Sequence, residues 1–134
     1  MRKFNIENTG KSSYNIAVVG ATGMVGRTML QVLREYEISI NKLYLFASSK
    51  SAGQKIDYYG KEAVIEELTE SSFEGKDIDI ALFSAGGDVS RKYAPVAASS
   101  GAVVIDNSSA FRMEKDIPLI VPEVNTDDLI MYKN

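Results

Sequence analysis

The apolar residues of this chain fall into short runs, and most of these runs are followed directly by glycine, serine or asparagine. Short apolar runs bounded by turn residues are typical of buried strands. The pattern predicts the main strands at residues 14–19, 42–47, 78–83 and 102–105, shorter strands at 56–59, 63–67 and 119–121, and a last helical segment from residue 126.

Between the main strands, two segments carry apolar residues at the spacing of an amphipathic helix. The first is predicted at residues 24–35. The second is predicted to have Asp88 or Ser90 as its cap, to be kinked or irregular at Pro95, and to end at Gly101. Strands that alternate with helices predict an α/β fold: a Rossmann-like, doubly wound and mainly parallel sheet with helices on both faces.

Ligands of doubly wound sheets bind beyond the carboxyl ends of the strands, at the point where the strand order reverses. Three stretches rich in glycine or serine follow predicted strands, at residues 20–26, 48–53 and 84–87. We therefore expect these three stretches to meet at one edge of the sheet.

The first of these stretches carries glycine at every third position, as Gly20, Gly23 and Gly26. Gly20 can leave the strand through a tight turn, and Gly23 can let the backbone approach a pyrophosphate. Gly26 can let the helix pack closely on the strand. The amino-terminal end of that helix would then face the phosphates. The alternative is a glycine-rich turn that binds nothing, which the motif alone does not exclude.

The second stretch favours NADP over NAD. A domain that prefers NAD places an acidic residue near this position to accept the ribose hydroxyls, whereas no acidic residue lies between Asn41 and Gln54. Hydroxyl groups and an ammonium group suit a 2′-phosphate, which a carboxylate would repel. The predicted contacts are Ser49, Lys50 and Ser51, and the alternative is a solvated serine loop with an unpaired lysine.

The composition narrows the chemistry further. The 134 residues have a net charge of −3, with no cysteine and no histidine. This charge argues against binding to nucleic acid or to an anionic membrane, and no apolar run reaches the ~20 residues that span a bilayer. Thiolate catalysis, Cys/His metal sites and histidine acid–base catalysis are excluded within these residues. We expect a cytoplasmic protein without metal, with a flexible extension or cloning remnant at residues 1–13 and an NAD(P)-binding domain at residues 14–134.

Several motifs are specific enough to indicate a protein family. They are Gly-Ala-Thr-Gly-Met-Val-Gly (20–26), Ser-Ala-Gly (51–53), Ala-Leu-Phe-Ser-Ala-Gly-Gly (81–87), Tyr-Ala-Pro (93–95), Val-Ile-Asp-Asn-Ser-Ser-Ala-Phe-Arg-Met (104–113) and Pro-Leu-Ile-Val-Pro-Glu-Val-Asn (118–125). Together, and in this order, they resemble aspartate-β-semialdehyde dehydrogenase. The resemblance implies NADPH-dependent reductive dephosphorylation of L-aspartyl 4-phosphate to aspartate semialdehyde, a step toward lysine, methionine, threonine and diaminopimelate.

The resemblance also implies roles for individual residues. It assigns the pyrophosphate turn to Thr22, Gly23, Met24 and Val25, the 2′-phosphate loop to Lys50, Ser51 and Ala52, the nicotinamide-side loop to Ser84, Ala85 and Gly86, and the phosphate pocket of the substrate to Asn107 and Arg112. Lys50 stands where the family often has arginine, which keeps the charge but loses a bidentate contact. Without the resemblance, Arg112 would be interpreted as a surface ion pair with Glu114 or Asp116.

The chain departs from the family in its catalytic residues. The nucleophilic cysteine, the acid–base histidine and a substrate arginine of the family, which belong to a later segment and a second domain, have no counterpart here. Asp106 and Glu123 fit capping and loop hydrogen bonds, so no catalytic residue is predicted. We expect no turnover by this chain alone and a monomer, although the family enzyme is a homo-oligomer. The alternatives are an enzyme similar to N-acetylglutamyl-phosphate reductase, or a non-catalytic NADP-binding module.

Overall fold

The computed structural model describes residues 11–133, and describes side chains within its helices and strands as far as Leu129. The elements, in chain order, are β1 (Tyr14–Val19), α1 (Met24–Glu35), β2 (Ile40–Ala47), β3 (Lys55–Tyr58), β4 (Lys61–Glu67), β5 (Ile80–Phe83), α2 (Gly87–Ser99), β6 (Val103–Asp106) and a 3₁₀ helix (Thr126–Lys133). No helix within this part of the chain is both long and apolar enough to cross a membrane.

The six strands form one sheet in the order β3-β4-β2-β1-β5-β6. All neighbouring pairs are parallel except β3 and β4, which form an antiparallel hairpin at one edge. From β1 the chain first adds strands on one side and then returns to add β5 and β6 on the other. The strand order therefore reverses between β1 and β5, which is where ligands of such sheets bind.

The two faces of the sheet are covered by different helices, because successive side chains of a strand point to opposite faces. Val18 and Leu45 pack in one cluster with Leu30 of α1. Phe46 and Phe83 pack in the other cluster, together with alanines of α2. The predicted α/β fold, doubly wound and mainly parallel with helices on both faces, is confirmed.

The predicted cap of the second helix is wrong. The N-cap residue of α2 is Gly86, at φ +92°, and no side chain caps the helix. Asp88 lies in the first turn, while Ser90 is buried inside the helix and hydrogen-bonded to Asp106. The sequence carries one sign of this bond: Ser90 lies among apolar residues on one face of the helix, where a buried hydroxyl needs a hydrogen-bond partner. Pro95 lies within α2, which continues as one helix to Ser99.

The predicted strand at residues 119–121 is also wrong, since no strand is assigned there. The side chain of Asn125 takes the place of a partner strand. Its Oδ1 accepts the N–H of Val121 at 2.7 Å, and its Nδ2 donates to the carbonyl of Leu119 at 2.7 Å. The segment is apolar, but these two backbone groups bond to a side chain instead of to a neighbouring strand.

The expected extension at residues 1–13 lies mostly outside the described residues. Within the described part, Lys11 forms an ion pair with Asp79, the residue before β5. β1 then begins at Tyr14, where the sequence predicts the first strand.

Candidate nucleotide-binding site

The glycine turn after β1 lies at the switch point of the sheet. Gly20 donates its N–H to the carbonyl of Phe46 at 2.9 Å, and Ser84 donates its N–H to the carbonyl of Val19 at 2.9 Å. Gly20 has φ +87°, and a Cβ there would lie 3.0 Å from backbone atoms of Ser84 and Ala85. The turn is therefore packed against the residues that follow β5, as the topology predicts.

Gly26 determines how closely α1 approaches this turn. A Cβ on Gly26 would lie 2.1 Å from the carbonyl oxygen of Gly20, a distance that no side chain tolerates. The sequence analysis expects Gly26 to allow close packing of the helix on the strand, whereas this contact is with Gly20 and Ala21 in the turn that follows β1.

Gly23 and the first turn of α1 face outward. Gly23 is the N-cap residue, with φ −74°, and a Cβ on it would make an ordinary 3.5 Å contact with Gly20. Met24 and Val25 are exposed. The N–H groups of a first helical turn have no intrahelical acceptor, so this end of α1 presents free donors and a partial positive charge.

The loop after β2 lies beside the glycine turn. The carbonyl of Ser48 accepts the N–H groups of Ser51 at 3.0 Å and Ala52 at 3.2 Å, which folds the loop into a compact turn. The hydroxyl of Thr22 lies 3.5 Å from that of Ser51 and joins the two stretches. Ser49 and Lys50 are exposed on the outer side of this loop. Lys50 takes part in none of the ion pairs of the described residues.

The stretch after β5 completes the edge. The hydroxyl of Ser84 donates to the carbonyl of Val19 at 3.1 Å, so its oxygen remains able to accept a hydrogen bond from outside. Gly86 is the N-cap residue of α2 and has a positive φ. Ala85 is partly exposed and Gly86 is exposed. Residues from all three predicted stretches are thus brought to one edge of the sheet.

Asn107 and Arg112 lie next to this edge, beyond β6. Asn107 donates its N–H to the carbonyl of Phe83 at 3.0 Å, and Arg112 Nη2 donates to the carbonyl of Asn107 at 3.3 Å. Both side chains are exposed. Among the described ion pairs none involves Arg112, so its guanidinium is not paired with Glu114 or Asp116.

Residues 15–132 match the family model described as the NAD-binding domain of semialdehyde dehydrogenase. The chain belongs to this family. It corresponds to the amino-terminal NAD(P)-binding domain of an aspartate-semialdehyde dehydrogenase.

Individual relatives agree with this assignment. Aspartate-semialdehyde dehydrogenase of Campylobacter jejuni is 53% identical over 118 residues, which are 88% of this chain and 34% of the relative. The crystal structure of aspartate semialdehyde dehydrogenase II from Vibrio cholerae, complexed with ASA, has a TM-score of 0.84 and 46% identity, over 90% of this chain and 39% of that one. The enzyme from Candida albicans, solved with NADP, has a TM-score of 0.73 and 27% identity, over 89% and 36% of the two chains. This semialdehyde dehydrogenase domain thus spans about a third of its relatives' length.

One feature of the semialdehyde dehydrogenase domain has no counterpart among the predicted site residues. An open cleft of about 610 Å³ lies between the end of β4 and α2, lined among others by Leu68, Thr69 and Tyr93. In the sequence, this cleft corresponds to the predicted short strand at residues 63–67 and the polar residues that follow it. The sequence indicates a hairpin of β3 and β4 but does not show that β4 also pairs in parallel with β2. The carboxyl end of β4 therefore lies at the same sheet edge as the glycine turn.

Proposed function

We propose that this chain provides the NADP(H) site and part of the substrate-phosphate site of an aspartate-semialdehyde dehydrogenase. The reaction is the NADPH-dependent reductive dephosphorylation of L-aspartyl 4-phosphate to aspartate semialdehyde, in the cytoplasmic synthesis of lysine, methionine, threonine and diaminopimelate. The observation that carries the proposal is the meeting of the stretches at residues 20–26, 48–53 and 84–86 at the switch point of a chain that belongs to this family.

The glycine turn is proposed to hold the pyrophosphate. Gly23, Met24 and Val25 are exposed at the start of α1, and Thr22 before them is partly exposed. The free N–H groups and positive end of the helix favour an anion there. The residues present therefore fit a dinucleotide, which supplies the hydride for the reduction.

The loop after β2 is proposed to select NADP. Ser49, Lys50 and Ser51 place two hydroxyls and one ammonium group beside the glycine turn, with Ala52 closing the loop. A lysine is a strong partner for a dianionic 2′-phosphate, and no carboxylate within residues 42–53 repels it.

The nicotinamide side and the substrate phosphate are proposed to lie on the other side of the switch point. Ser84, Ala85 and Gly86 would line the nicotinamide, and the hydroxyl oxygen of Ser84 would accept a hydrogen bond there. Asn107 and the guanidinium of Arg112, which forms no ion pair among the described residues, would hold the acyl phosphate or the released inorganic phosphate, since a planar guanidinium binds phosphate bidentately.

The covalent step of the family needs a thiolate, and the 134 residues of this chain contain no cysteine. A thiol from outside these residues must therefore form the acyl thioester. Residues 1–134 alone are proposed to bind cofactor and phosphate without turnover, and reduction of aspartyl phosphate by the pure chain would contradict this.

The cofactor site is tested by calorimetric titration of the chain with NADP⁺ and NAD⁺. We expect tighter binding of NADP⁺, and Lys50→Ala should weaken NADP⁺ binding about tenfold because it removes one charge-assisted hydrogen bond. The affinity for NAD⁺, which has no 2′-phosphate, should not change.

Lys61→Ala is the matched control, since Lys61 is an exposed lysine at the start of β4, away from the glycine turn. It should leave both affinities unchanged. A chain that binds neither nucleotide, or a Lys50→Ala variant that loses both affinities equally, contradicts the proposed site.

A further inference from the structure

A buried serine of α2 is bonded to the end of β6. Ser90 is 0% exposed, and its hydroxyl donates to Oδ1 of Asp106 at 2.8 Å. The other buried polar residue among those described is Ser72, whose hydroxyl bonds only to Glu67 and Thr69, both within five residues of it in the chain. Ser90 differs because its hydrogen bond joins two separate elements.

Asp106 also holds the loop that follows β6. Its Oδ1 accepts the N–H of Ser108 at 2.9 Å, and its Oδ2 accepts the hydroxyl of Ser108 at 2.8 Å. Ser108 Oγ in turn accepts the N–H of Ala110 at 3.2 Å. These bonds by themselves form an Asx-turn, which is common in loops. The bond from Ser90 adds an anchor on α2, so the loop is fixed relative to that helix.

The bond between Ser90 and Asp106 joins the two parts of the proposed site, the nicotinamide side and the phosphate pocket of the substrate. α2 begins directly after Gly86, in the stretch assigned to the nicotinamide side. Asn107 follows Asp106, and Arg112 bonds to its carbonyl. Asn107 and Arg112 are exposed in a segment without helix or strand, and such a segment is held by few contacts of its own.

We propose that Ser90 and Asp106 are positioning residues that fix the phosphate-binding loop relative to the nicotinamide-side end of α2. The inference rests on the proposed function. In the proposed reaction the thiol attacks the acyl phosphate, phosphate leaves, and the hydride is transferred to the same acyl carbon in the resulting thioester. The loop that holds the phosphate therefore determines where this carbon lies relative to the cofactor, and small displacements are costly in rate. Ser90 acts through Asp106 and the loop, without touching cofactor or substrate.

The test compares Ser90→Ala with Ser72→Ala in the chain, measuring affinity for inorganic phosphate and for NADP⁺ by titration. Each variant removes one buried hydroxyl, so both should lose thermal stability. Ser90→Ala should also weaken phosphate binding about tenfold, since Arg112 and Asn107 lose their fixed position, while NADP⁺ binding is unchanged. Ser72→Ala should change neither affinity.

Amide hydrogen exchange without ligand gives a second readout. Exchange between Asn107 and Arg112 should be faster in Ser90→Ala and unchanged in Ser72→Ala. If Ser90→Ala does not fold, Ser90→Cys decides, because a thiol occupies nearly the same space but is only a weak hydrogen-bond donor to Asp106. It should weaken phosphate binding about threefold, and the charge of Asp106 beside the phosphate site stays unchanged.

The outcomes separate this inference from the proposed function. If the wild-type chain binds both ligands and the folded variant binds phosphate as tightly as wild type, the positioning role is overturned and the proposed function stands. If the wild-type chain binds neither ligand, both are overturned.

Discussion

At the scale of single residues, the close packing of α1 on the turn after β1 depends on the missing side chain of Gly26. A Cβ there would lie 2.1 Å from the carbonyl oxygen of Gly20, and backbone cannot move aside as a flexible side chain can. Gly26→Ala should therefore lower the free energy of unfolding by about 2–3 kcal/mol through overpacking, even after a gain of about 1 kcal/mol in helix propensity. Urea denaturation measures the difference.

Gly23→Ala is the matched control for that substitution. Its Cβ would contact Gly20 at 3.5 Å, and the φ of −74° suits alanine. The variant should keep wild-type stability, although NADP⁺ should bind it more weakly if the pyrophosphate approaches Gly23. Equal loss of stability in the two variants would show that the close contact at Gly26 does not explain the glycine there.

At the scale of elements, the sequence pattern was most informative where burial was strong. The bounds of β1 and α1 agree with the predictions to the residue, because the apolar run of β1 ends at Gly20 and the apolar helical face of α1 begins after Gly23 and stops near Glu35. The segment 119–121 failed because an apolar run does not reveal whether a partner strand exists. The cap of α2 failed because Gly86 provides the turn by its backbone conformation.

Asp79 links three strands at the edge of the sheet opposite the glycine turn. Its N–H donates to Asn15 at 2.8 Å, its carbonyl accepts the N–H of Val103 at 2.9 Å, and its Oδ2 accepts the N–H of Asn15 at 2.8 Å. Burial raises the pKa of Asp79, but hydrogen bonds from Lys11 and the Asn15 N–H outweigh this and hold the pKa below its ordinary value. The ionised carboxylate therefore stabilises the fold.

The sign of this pKa shift predicts how stability depends on pH. A depressed carboxyl pKa contributes stability above the ordinary value of 3.8, and the contribution is lost as the pH falls through the lower value in the folded chain. Asp79→Asn should cost about 1 kcal/mol of unfolding free energy at pH 7, and the difference from wild type should shrink below pH ~4.

Urea denaturation at pH 7 and at pH 3 measures this difference. Asp116→Asn, which removes an exposed carboxylate, corrects for the change in net charge. A gap between wild type and Asp79→Asn that is as large at pH 3 as at pH 7 would rule out the charge as its source.

At the scale of the whole molecule, the alternation of strands and helices predicted where the site residues meet. The rule that strand ends converge at a switch point was enough to place Gly20 and Ser84 near one another, whereas Asn107 was assigned to the site only through the family resemblance. The contact between Thr22 and Ser51 was beyond prediction, because it depends on the conformations of two loops. The bond between Ser90 and Asp106 was missed because it requires the packing of α2 against β6.

The sheet also has one face that its helices leave partly uncovered. α1 packs over the central strands, whereas Val103 and Ile105 of the edge strand β6 stay 42% and 53% exposed. Their register partners on β5 are Ile80 and Leu82, so apolar side chains of two strands adjoin there. Adjoining exposed apolar side chains of this kind are typical of a surface that another polypeptide segment covers.

In the chain by itself, this face should bind an apolar dye while the chain stays monomeric. Replacing Val103 and Ile105 together by threonine should reduce the fluorescence of bound anilinonaphthalene sulfonate. It should cost less than about 1 kcal/mol of unfolding free energy, because half-exposed side chains gain little from folding. Val64→Thr, on an exposed valine of β4, should leave the fluorescence unchanged. Light scattering gives the mass in parallel: a uniform dimer that the double substitution converts to a monomer would mean that a second copy covers this face.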